Sequence, residues 1–221
     1  MIERIRVIGS GRVGSAVAAR LSERGVAVGD AEPELVLLCV PDGAIAETAR
    51  SVPVGPWIGH VSGATPLAAL DPHVRRFSLH PLQTFVPGGR AEQLDGAWAA
   101  VTAEDPEALE VARSLAETLG LRPFELADRE RTLYHAGAVF ASNYLVTLER
   151  AASLLVEAAG APREALRPLL QRTVENGFEL TGPIARGDWA TVEAHRAAIH
   201  AARPELDEVY DALAEATVLL A

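Results

Sequence analysis

The sequence contains no lysine: all 20 of its basic residues are arginine. This absence excludes mechanisms that need a lysine amine, namely Schiff-base chemistry, a lysine general acid and the phosphate-binding lysine of a P-loop. Acidic residues outnumber basic ones by 30 to 20, which gives a formal net charge of −10. Because nucleic-acid-binding proteins normally carry a basic excess, we do not expect a nucleic-acid partner.

Cysteine is almost absent as well. Cys39 is the single cysteine, so an internal disulfide and a cysteine metal cluster are both excluded. It lies in the apolar run 35–40, which favours a small core residue over a nucleophile. No group of residues has the spacing of metal ligands, and we therefore expect no metal site.

Long hydrophobic runs are also missing. The longest stretch without charge apart from one histidine, residues 132–148, contains His135, Ser142 and Asn143 and is shorter than a typical membrane span. The first residues do not form an apolar segment followed by a cleavage site, so they do not look like a signal peptide. We therefore expect no membrane association and a cytoplasmic location.

The pattern of the sequence changes near residue 126. The chain has 221 residues, 49% of them apolar, which is enough for one large domain or two small ones. Residues 1–126 alternate short apolar runs with helical periodicity, which predicts an α/β domain with a Rossmann-like, doubly wound parallel sheet. Residues 127–221 show helical patterns alone and predict an all-helical C-terminal domain. The expected strands lie near 5–8, 26–28, 35–40, 57–61, 77–79, 97–101 and 122–125. The expected helices lie near 12–24, 44–50, 106–119, 129–159 and 164–177, with one more after Asp188, which is its predicted N-cap, and a last one after Pro204.

The turn between the first predicted strand and the first predicted helix has the pattern G-x-G-x-x-G. In that position the pattern is typical of dinucleotide binding: Gly9 permits the tight turn, Gly11 lets a pyrophosphate approach the backbone, and Gly14 permits close helix–strand packing. The helix N-terminus would offer free N–H groups to the phosphates. A purely structural glycine turn is the alternative. The predicted cofactor-binding residues here are Gly9, Ser10, Gly11, Arg12, Val13 and Gly14.

The sequence leaves the choice between NAD and NADP open. Asp30 lies about 20 residues beyond Gly9, where an acidic residue usually binds the adenine ribose of NAD. The segment between Val28 and Leu35 has no room for the usual helix after the second strand, so a turn residue is the alternative role for Asp30. Arg12 is the nearest arginine that could meet the 2′-phosphate of NADP. The predicted cofactor is therefore NADP or NAD.

Three predicted strands end in polar, small or turn residues. Because ligands of open α/β sheets bind outside the carboxyl ends of the strands, we expect these residues to gather around the nicotinamide. The alternative for His60 and for His80 is a structural role, with the side chain hydrogen-bonded inside the fold. The predicted cofactor contacts are Val40, Pro41 and Asp42, and the predicted catalytic residues are Ser62 and His80.

The long predicted helix carries a polar stripe. His135 and Ser142 are seven residues apart and share a helical face, with Asn143 on its flank. An unpaired buried polar group is costly, so these side chains need partners. The stripe predicts either a substrate pocket between the domains or a hydrogen-bonded contact between helices.

A second stripe lies on the helix that follows Asp188. Asp188, Thr191 and His195 recur at helical spacing on one face, which is either functional or a dimer or domain contact. His73 and His200 have no such neighbours in the sequence. We expect both of them at the surface.

Six stretches are informative together: GSGRVG at Gly9, LLCVPDGAI at Leu37, HVSG at His60, FSLHPLQTF at Phe77, YHAGAVFASNYL at Tyr134 and LTGPIARGD at Leu180. In these stretches the sequence resembles the oxidoreductases built from an N-terminal Rossmann-like domain and a C-terminal helical domain of unknown function, DUF2520. The family is similar in layout to the 6-phosphogluconate dehydrogenase-like superfamily, which includes ketopantoate reductase, pyrroline-5-carboxylate reductase and prephenate dehydrogenase. The resemblance implies NAD(P)-linked hydride transfer and a homodimer whose helical domains pack together. The short segment after Val28 departs from the pattern, and the catalytic lysine of some superfamily members has no counterpart here.

We therefore expect an NAD(P)-dependent dehydrogenase or reductase of a small oxo or hydroxy acid, with a ketopantoate-like acid as one candidate. The cofactor carries the hydride, and the protein must orient it and supply a proton, for which histidine is suited at neutral pH. A non-catalytic NAD(P)-binding sensor or regulatory protein, or a scaffold that has lost the cofactor, is the alternative. His135 and His80 are the predicted proton donors, and Arg186 is a predicted carboxylate anchor. The predicted catalytic residues are His135, His80, Asn143 and Ser62, and the predicted substrate residues are Ser142, Arg186 and His195.

Overall fold

The N-terminal part of the chain forms a seven-stranded sheet in the order β2-β1-β3-β4-β5-β6-β7. The computed structural model describes residues 2–87 and 90–220. The strands lie close to the predicted positions, since the short apolar runs pair side by side as in other α/β proteins. They are β1 (Arg4–Ile8), β2 (Ala27–Val28), β3 (Leu35–Leu38), β4 (Trp57–His60), β5 (Arg76–Pro81), β6 (Trp98–Ala103) and β7 (Arg122–Glu125).

One strand departs from the predicted parallel arrangement. β6 pairs antiparallel with β5, whereas every other neighbouring pair in the sheet is parallel. The segment between Pro81 and Trp98 contains a short 3-10 turn at Ala91–Leu94 and no crossover helix among its described residues. A parallel return would need such a crossover, so the chain comes back antiparallel. The α/β class with a Rossmann-like sheet is confirmed, but the sheet is mixed at this edge.

Helices cover both faces of the sheet. Leu35 and Leu37 of β3 point into a core formed with α1 (Arg12–Glu23) and α3 (Pro106–Thr118). Val36 and Leu38 alternate to the other face, where they pack with α2 (Ile45–Ser51). Full burial of such a side chain contributes about 1.5–3 kcal/mol. The strand is apolar throughout because both of its faces are buried.

The ends of α3 follow from local sequence signals. The Asp105 carboxylate accepts a hydrogen bond from the Ala108 N–H at 2.9 Å, and Pro106 occupies the first turn, where its missing N–H is not needed. Gly120, with φ +82°, follows the last turn in the left-handed conformation that glycine adopts without strain.

Helices alone make up the described chain beyond β7. A π-helical segment, Phe140–Tyr144, divides the predicted helix 129–159 into α4 (Arg131–Val139) and α5 (Leu145–Ala158). Asp188 is confirmed as the N-cap of the helix that begins at Trp189, because its carboxylate accepts a hydrogen bond from the Thr191 N–H at 3.2 Å. The remaining helices are α6 (Leu166–Glu175), α7 (Trp189–Ala202) and α8 (Asp207–Leu220).

The chain divides into two compact units, residues 1–141 and 142–221, which we call the N-terminal and C-terminal units. The division lies within the π-helical segment, beyond the boundary predicted between residues 126 and 127. The helix α4 therefore belongs to the same unit as the sheet, since its first turn is tied to strands and loops of that unit.

The sequence also leads to expectations about membrane spans, metal sites and the single cysteine. Within residues 2–87 and 90–220, none of the helices is long and apolar enough to span a membrane. Over the same residues, no three histidine, cysteine or acidic side chains come together as metal ligands. Burial raises the pKa of the Cys39 thiol to about 12, so the thiol stays protonated and is a poor nucleophile.

Candidate active site

The three glycines of the first turn differ in what surrounds them. A Cβ on Gly9, whose φ is +116°, would lie 2.2 Å from the Cys39 carbonyl oxygen, and a Cβ on Gly14 would lie 1.9 Å from the Gly9 carbonyl oxygen. The fold itself therefore requires glycine at these two positions. A Cβ on Gly11 would meet no atom within 4 Å, and Gly11 has an ordinary φ of −70°. The packing of this unit gives no reason for a glycine there, whereas a ligand lying against the backbone would.

The N-terminus of α1 opens onto that free space. Gly11 is its N-cap, no side chain among the described residues caps it, and its first turn contains no acidic residue. The first helical hydrogen bond is donated by the Ser15 N–H to the Gly11 carbonyl at 2.9 Å. The preceding N–H groups and the helix dipole make this end suited to an anion. Ser10 and Arg12 are both exposed beside it, as the predicted phosphate site requires.

The other predicted cofactor contacts lie at the carboxyl ends of neighbouring strands. Asp30 follows β2, is exposed, and pairs with the Arg6 guanidinium at 2.7 Å. Val40 is half-buried after β3, and Pro41 and Asp42 are exposed just beyond it. Because β1, β2 and β3 are parallel neighbours, these residues share one edge of the sheet with the glycine turn.

Two of the predicted catalytic residues come together in the N-terminal unit. His80, near the end of β5, and His135, on the second turn of α4, have ring centroids 6.2 Å apart. Tyr134 completes the group, since its hydroxyl lies 2.8 Å from His80 Nδ1. A Cβ on Gly63 would lie 2.7 Å from His135 Cδ2 and 2.9 Å from both Cε1 and Nε2 of His80. Both imidazoles therefore rest on the bare backbone of Gly63.

The surroundings fix the protonation of His80 and of Tyr134. Burial lowers the pKa of His80 to about 4, with smaller effects from the nearby His135 and Arg131, and Asp42 acts in the opposite direction. Burial also raises the pKa of Tyr134 to about 12, with Arg131 opposing. At neutral pH His80 is therefore an uncharged imidazole and Tyr134 an uncharged phenol. The Tyr134 O–H can donate to His80 Nδ1, and this assignment leaves the His80 proton on Nε2.

Ser62 does not offer its hydroxyl to a substrate in this arrangement. Its Oγ accepts hydrogen bonds from the N–H groups of Ala64 at 3.2 Å and Thr65 at 3.0 Å, and donates to Thr65 Oγ1 at 2.9 Å. A hydroxyl has one proton and two lone pairs, so all three are used within the turn. Ser62 shapes the turn that carries Gly63, and a catalytic role for its hydroxyl stays a prediction.

His60, at the end of β4, is fully buried. Its Nδ1 accepts a hydrogen bond from the Ser62 N–H at 3.2 Å. Burial, reinforced by Arg131, lowers its pKa to about 3. His60 is therefore a neutral residue that supports the turn.

The sequence analysis missed Arg131. It is 1% exposed, and its guanidinium donates to Thr102 Oγ1 at 3.0 Å and to the Ser62 carbonyl. The signal that could have revealed it is its position: a cation in the first turn of a helix opposes the helix dipole, so it needs a partner elsewhere.

The remaining predicted residues lie in the C-terminal unit. Ser142 and Asn143 are in the π-helical segment, where Ser142 Oγ donates to Asn143 Oδ1 at 3.0 Å. Arg186 donates to the Thr181 carbonyl at 2.5 Å. His195 Nδ1 lies 2.9 Å from the Tyr210 hydroxyl. Their assignment to substrate binding or catalysis stays a prediction.

Two residues of the stripe on α7, Asp188 and Thr191, and the histidines His73 and His200 have structural explanations. Asp188 and Thr191 form the N-cap, with Thr191 Oγ1 donating to Asp188 Oδ2 at 2.7 Å. His200 is exposed and pairs with Asp207, as expected of a surface residue. The expectation for His73 was wrong: it is 2% exposed, with Nε2 2.9 Å from the Ala49 carbonyl oxygen. A loop after the 3-10 turn at Leu67–Leu70 carries it beneath α2, which its sequence neighbours do not reveal.

The family described as "Domain of unknown function (DUF2520)" matches residues 97–217 of this sequence, more than half of the chain. The chain belongs to the DUF2520 family. The DUF2520 match begins at the start of β6, so it includes the antiparallel edge of the sheet as well as the helices.

Solved structures share the fold of this DUF2520 protein. A candidate NADP oxidoreductase from Bacteroides fragilis, BF3122, is 21% identical, with a TM-score of 0.81 over 98% of each chain. Protein TM1727 from Thermotoga maritima is 23% identical, with a TM-score of 0.76 over 96% of this chain and 95% of that one. A reductive aminase from Aspergillus terreus, solved with NADPH and ethyl levulinate, is 18% identical, with a TM-score of 0.69 over 99% of this chain and 94% of that one. A search of curated proteins found no match.

Proposed function

We propose that this protein is an NAD(P)-dependent dehydrogenase or reductase that acts on a small oxo or hydroxy acid. The observation that carries the proposal is the open space at Gly11, at the uncapped N-terminus of α1. Two neighbouring glycines are explained by the fold, but this one is explained by a ligand that needs close approach to the backbone. The names of the similar structures, an NADP oxidoreductase and an enzyme solved with NADPH, support the same cofactor class.

The residues at the first turn fit a dinucleotide. The backbone from Gly9 to Gly14 would hold the pyrophosphate, and Val40, Pro41 and Asp42 would line the next strand end. Asp30 would face the ribose of NAD, and Arg12 would meet the 2′-phosphate of NADP. When bound, the nicotinamide exchanges a hydride with the substrate carbon.

The group of His80, His135 and Tyr134 would donate a proton to the substrate oxygen or remove one from it. Reduction of a carbonyl needs a proton on the oxygen, and oxidation of the alcohol needs a base. His80 is neutral at neutral pH, so its Nε2–H is suited to hold the substrate oxygen as a hydrogen-bond donor and not to give up a proton readily. His135, next to it, is the first choice for the general acid. Tyr134 fixes the His80 tautomer through its hydroxyl and is the next candidate.

The substrate is expected to be an acid. The buried guanidinium of Arg131 supplies positive charge, and the neutral Nε2–H of His80 supplies a hydrogen-bond donor, which together make this part of the unit favourable for an anion. Arg186 is the proposed carboxylate anchor, with its forked N–H groups suited to bidentate contact. Ser142, Asn143 and His195 remain proposed substrate contacts.

A homodimer through the C-terminal unit is part of the proposal. Many large apolar side chains are exposed on this unit, and apolar surface patches above a few hundred Å² usually mark interfaces. They include Leu145, Val146, Leu169, Val174, Phe178, Leu180, Trp189, Val218, Leu219 and Leu220, between 42% and 84% exposed.

The test begins with the cofactor. Fluorescence titration with NADH and NADPH should show binding to the parent protein, and Gly11→Val should weaken it by ~10²-fold or more because the valine side chain would occupy the phosphate position. The melting temperature should fall only slightly, since the new Cβ meets no atom within 4 Å and the remaining cost is that of a poorer N-cap residue. Equal binding by Gly11→Val would place the cofactor site elsewhere.

The second part separates an enzyme from a sensor. A panel of 2-oxo and 3-oxo acids, including ketopantoate, is incubated with NADH or NADPH, and cofactor oxidation is followed by absorbance. Turnover of any member that is lost in Gly11→Val supports the proposal. Cofactor binding without turnover of any member would favour the non-catalytic sensor.

A further inference from the structure

Arg131 joins three segments of the N-terminal unit through one buried guanidinium. One terminal nitrogen donates to Thr102 Oγ1 at 3.0 Å on β6, and the other donates to the Ser62 carbonyl in the turn after β4. Nε lies 3.9 Å from an Asp128 carboxylate oxygen, just before α4. The arginine side chain is 2% exposed, so it cannot bind a ligand directly. Its contacts hold parts of the protein together.

The groups that Arg131 binds are themselves fixed. Thr102 Oγ1 donates to the Leu126 carbonyl at 2.8 Å. Asp128 Oδ1 accepts from the Leu67 N–H at 3.0 Å. The guanidinium is therefore held on a rigid base, and the Ser62 carbonyl is the part of its surroundings that belongs to the candidate site.

Arg131 is connected to the imidazoles of His80 and His135 in two ways, through the Ser62–Gly63 turn and along α4. The Ser62 carbonyl is bonded to the nitrogen of Gly63, whose missing side chain leaves the room in which His80 and His135 lie. Along α4, Arg131 and His135 are four residues apart and share one helical face. One side chain thus holds both the turn beneath the two rings and the first turn of the helix that carries one of them.

Burying an arginine here costs desolvation free energy, which is justified only if both terminal nitrogens of its guanidinium are needed. A buried charge is disfavoured unless its geometry is good, and an apolar side chain of similar volume often serves stability as well or better. A lysine would keep the charge but has a single nitrogen, which cannot match the two separate acceptors as a planar fork does. The two-sided geometry points to a need for precise placement of the turn.

The charge of Arg131 acts on the same site. Burial is the main cause of the lowered pKa of His80, and His135 and then Arg131 add to it, while Asp42 opposes. Arg131 also opposes the raised pKa of Tyr134. A substitution of Arg131 should therefore change the pKa of His80.

We propose that Arg131 is a positioning residue, whose forked hydrogen bonds to the Ser62 carbonyl and to Thr102 place Gly63 under the rings of His80 and His135. It acts through these residues and touches neither substrate nor cofactor. For its effect on turnover the inference rests on the proposed function, but its effect on the histidines does not.

The test uses two pairs of variants in the full chain. Arg131→Lys keeps the charge and loses the fork, and Arg129→Lys is the matched control because Arg129 is 84% exposed. Thr102→Val removes the acceptor for one terminal nitrogen, and Thr102→Ser keeps the hydroxyl. NMR titration of the histidine ring protons, which needs no substrate, reports the pKa of His80 and the chemical shifts of His80 and His135, assigned from His80→Gln and His135→Gln.

Arg131→Lys and Thr102→Val are expected to shift both sets of ring signals and to move the pKa of His80 from about 4 toward its ordinary value of 6.5, because a looser turn admits water. Arg129→Lys and Thr102→Ser should match the parent. With a turned-over substrate, kcat should fall by ~10²-fold in the first pair with the cofactor Kd unchanged, as expected for displaced catalytic groups.

The proposal is overturned if Arg131→Lys folds and keeps the parent's His80 and His135 signals. If that variant fails to fold, Thr102→Val decides: parental ring signals in it overturn the proposal, and shifted signals restored in Thr102→Ser support it. Loss of turnover in every variant and in the parent would contradict the proposed function and leave the histidine result standing.

Discussion

Gly63→Ala is the sharpest test of the histidine group, because the structure gives the size of the perturbation. The new Cβ would lie 2.7 Å from His135 Cδ2 and 2.9 Å from two atoms of His80, whereas ordinary contacts begin at 3.4 Å. The rings must therefore retreat by about 0.7 Å and 0.5 Å, the differences between these distances. Both are side chains, so the protein can make room by moving them.

A displacement of this size should matter more for turnover than for stability. Misplacement of reacting groups by about 1 Å costs ~10²-fold in rate, which corresponds to about 2.7 kcal/mol of activation free energy. Overpacking costs about 1–3 kcal/mol in a closed core, and the rings here are only half-buried, so the loss of folding stability should be at the low end. The expected result is a kcat reduced about 100-fold in a folded protein.

The assay is cofactor oxidation with the best acid of the panel, together with a thermal melt and a cofactor titration. The cofactor Kd should not change, because the Gly9–Gly14 turn is a separate segment. Gly137→Ala is the matched control: it lies on α4 two residues beyond His135, on a different face, and a Cβ there meets no atom within 4 Å. If Gly63→Ala turns over as fast as Gly137→Ala, the contact between Gly63 and the two rings has no part in catalysis.

Three other predictions concern the general acid, the pH dependence of stability and the oligomeric state. His135→Gln should lower kcat by ~10²–10⁴-fold with little effect on cofactor affinity, whereas a dead His80→Gln beside an active His135→Gln would reverse their roles. His60 and His80 have folded-state pKa values of about 3 and 4, below the ordinary 6.5, so the unfolded chain takes up protons first and stability should fall as pH drops from about 6.5 to about 3. Thermal melts from pH 7 to pH 4 measure this, and His80→Gln should reduce the slope; a constant melting temperature over that range would contradict the assignment. Sedimentation at micromolar concentration should give a dimer, and a monomer alone would remove the reason given for the exposed apolar residues of the C-terminal unit.

Local signals in the sequence were sufficient for most of the fold. The run 35–40 is apolar at every position, and within it the structure has β3 at Leu35–Leu38, a central strand buried on both faces. The change from alternating elements to helices alone was also visible, as was the Asp188 cap. These features depend on residues that are neighbours in the chain, so periodicity and capping reveal them.

The direction of β6 and the burial of His73 were not visible in the same way. The antiparallel return goes with the absence of a crossover helix among the described residues of 82–97, and the apolar pattern of β6 is the same in either direction. His73 belongs to no polar stripe in the sequence, but its Nε2 meets a carbonyl 24 residues away. Both depend on pairings between distant parts of the chain.

The candidate site shows the same division. The sequence by itself determined the glycine turn, since a tight strand–helix connection leaves only glycine at Gly9 and Gly14, and it indicated His80 and His135 individually. Only the tertiary structure brought the two imidazoles onto Gly63, paired His80 with Tyr134, used up the Ser62 hydroxyl within its own turn and buried Arg131 beneath them. Hydrogen bonds between residues 54 and 69 positions apart leave no periodic trace in a sequence, because each is satisfied by packing that forms only when the whole unit has folded.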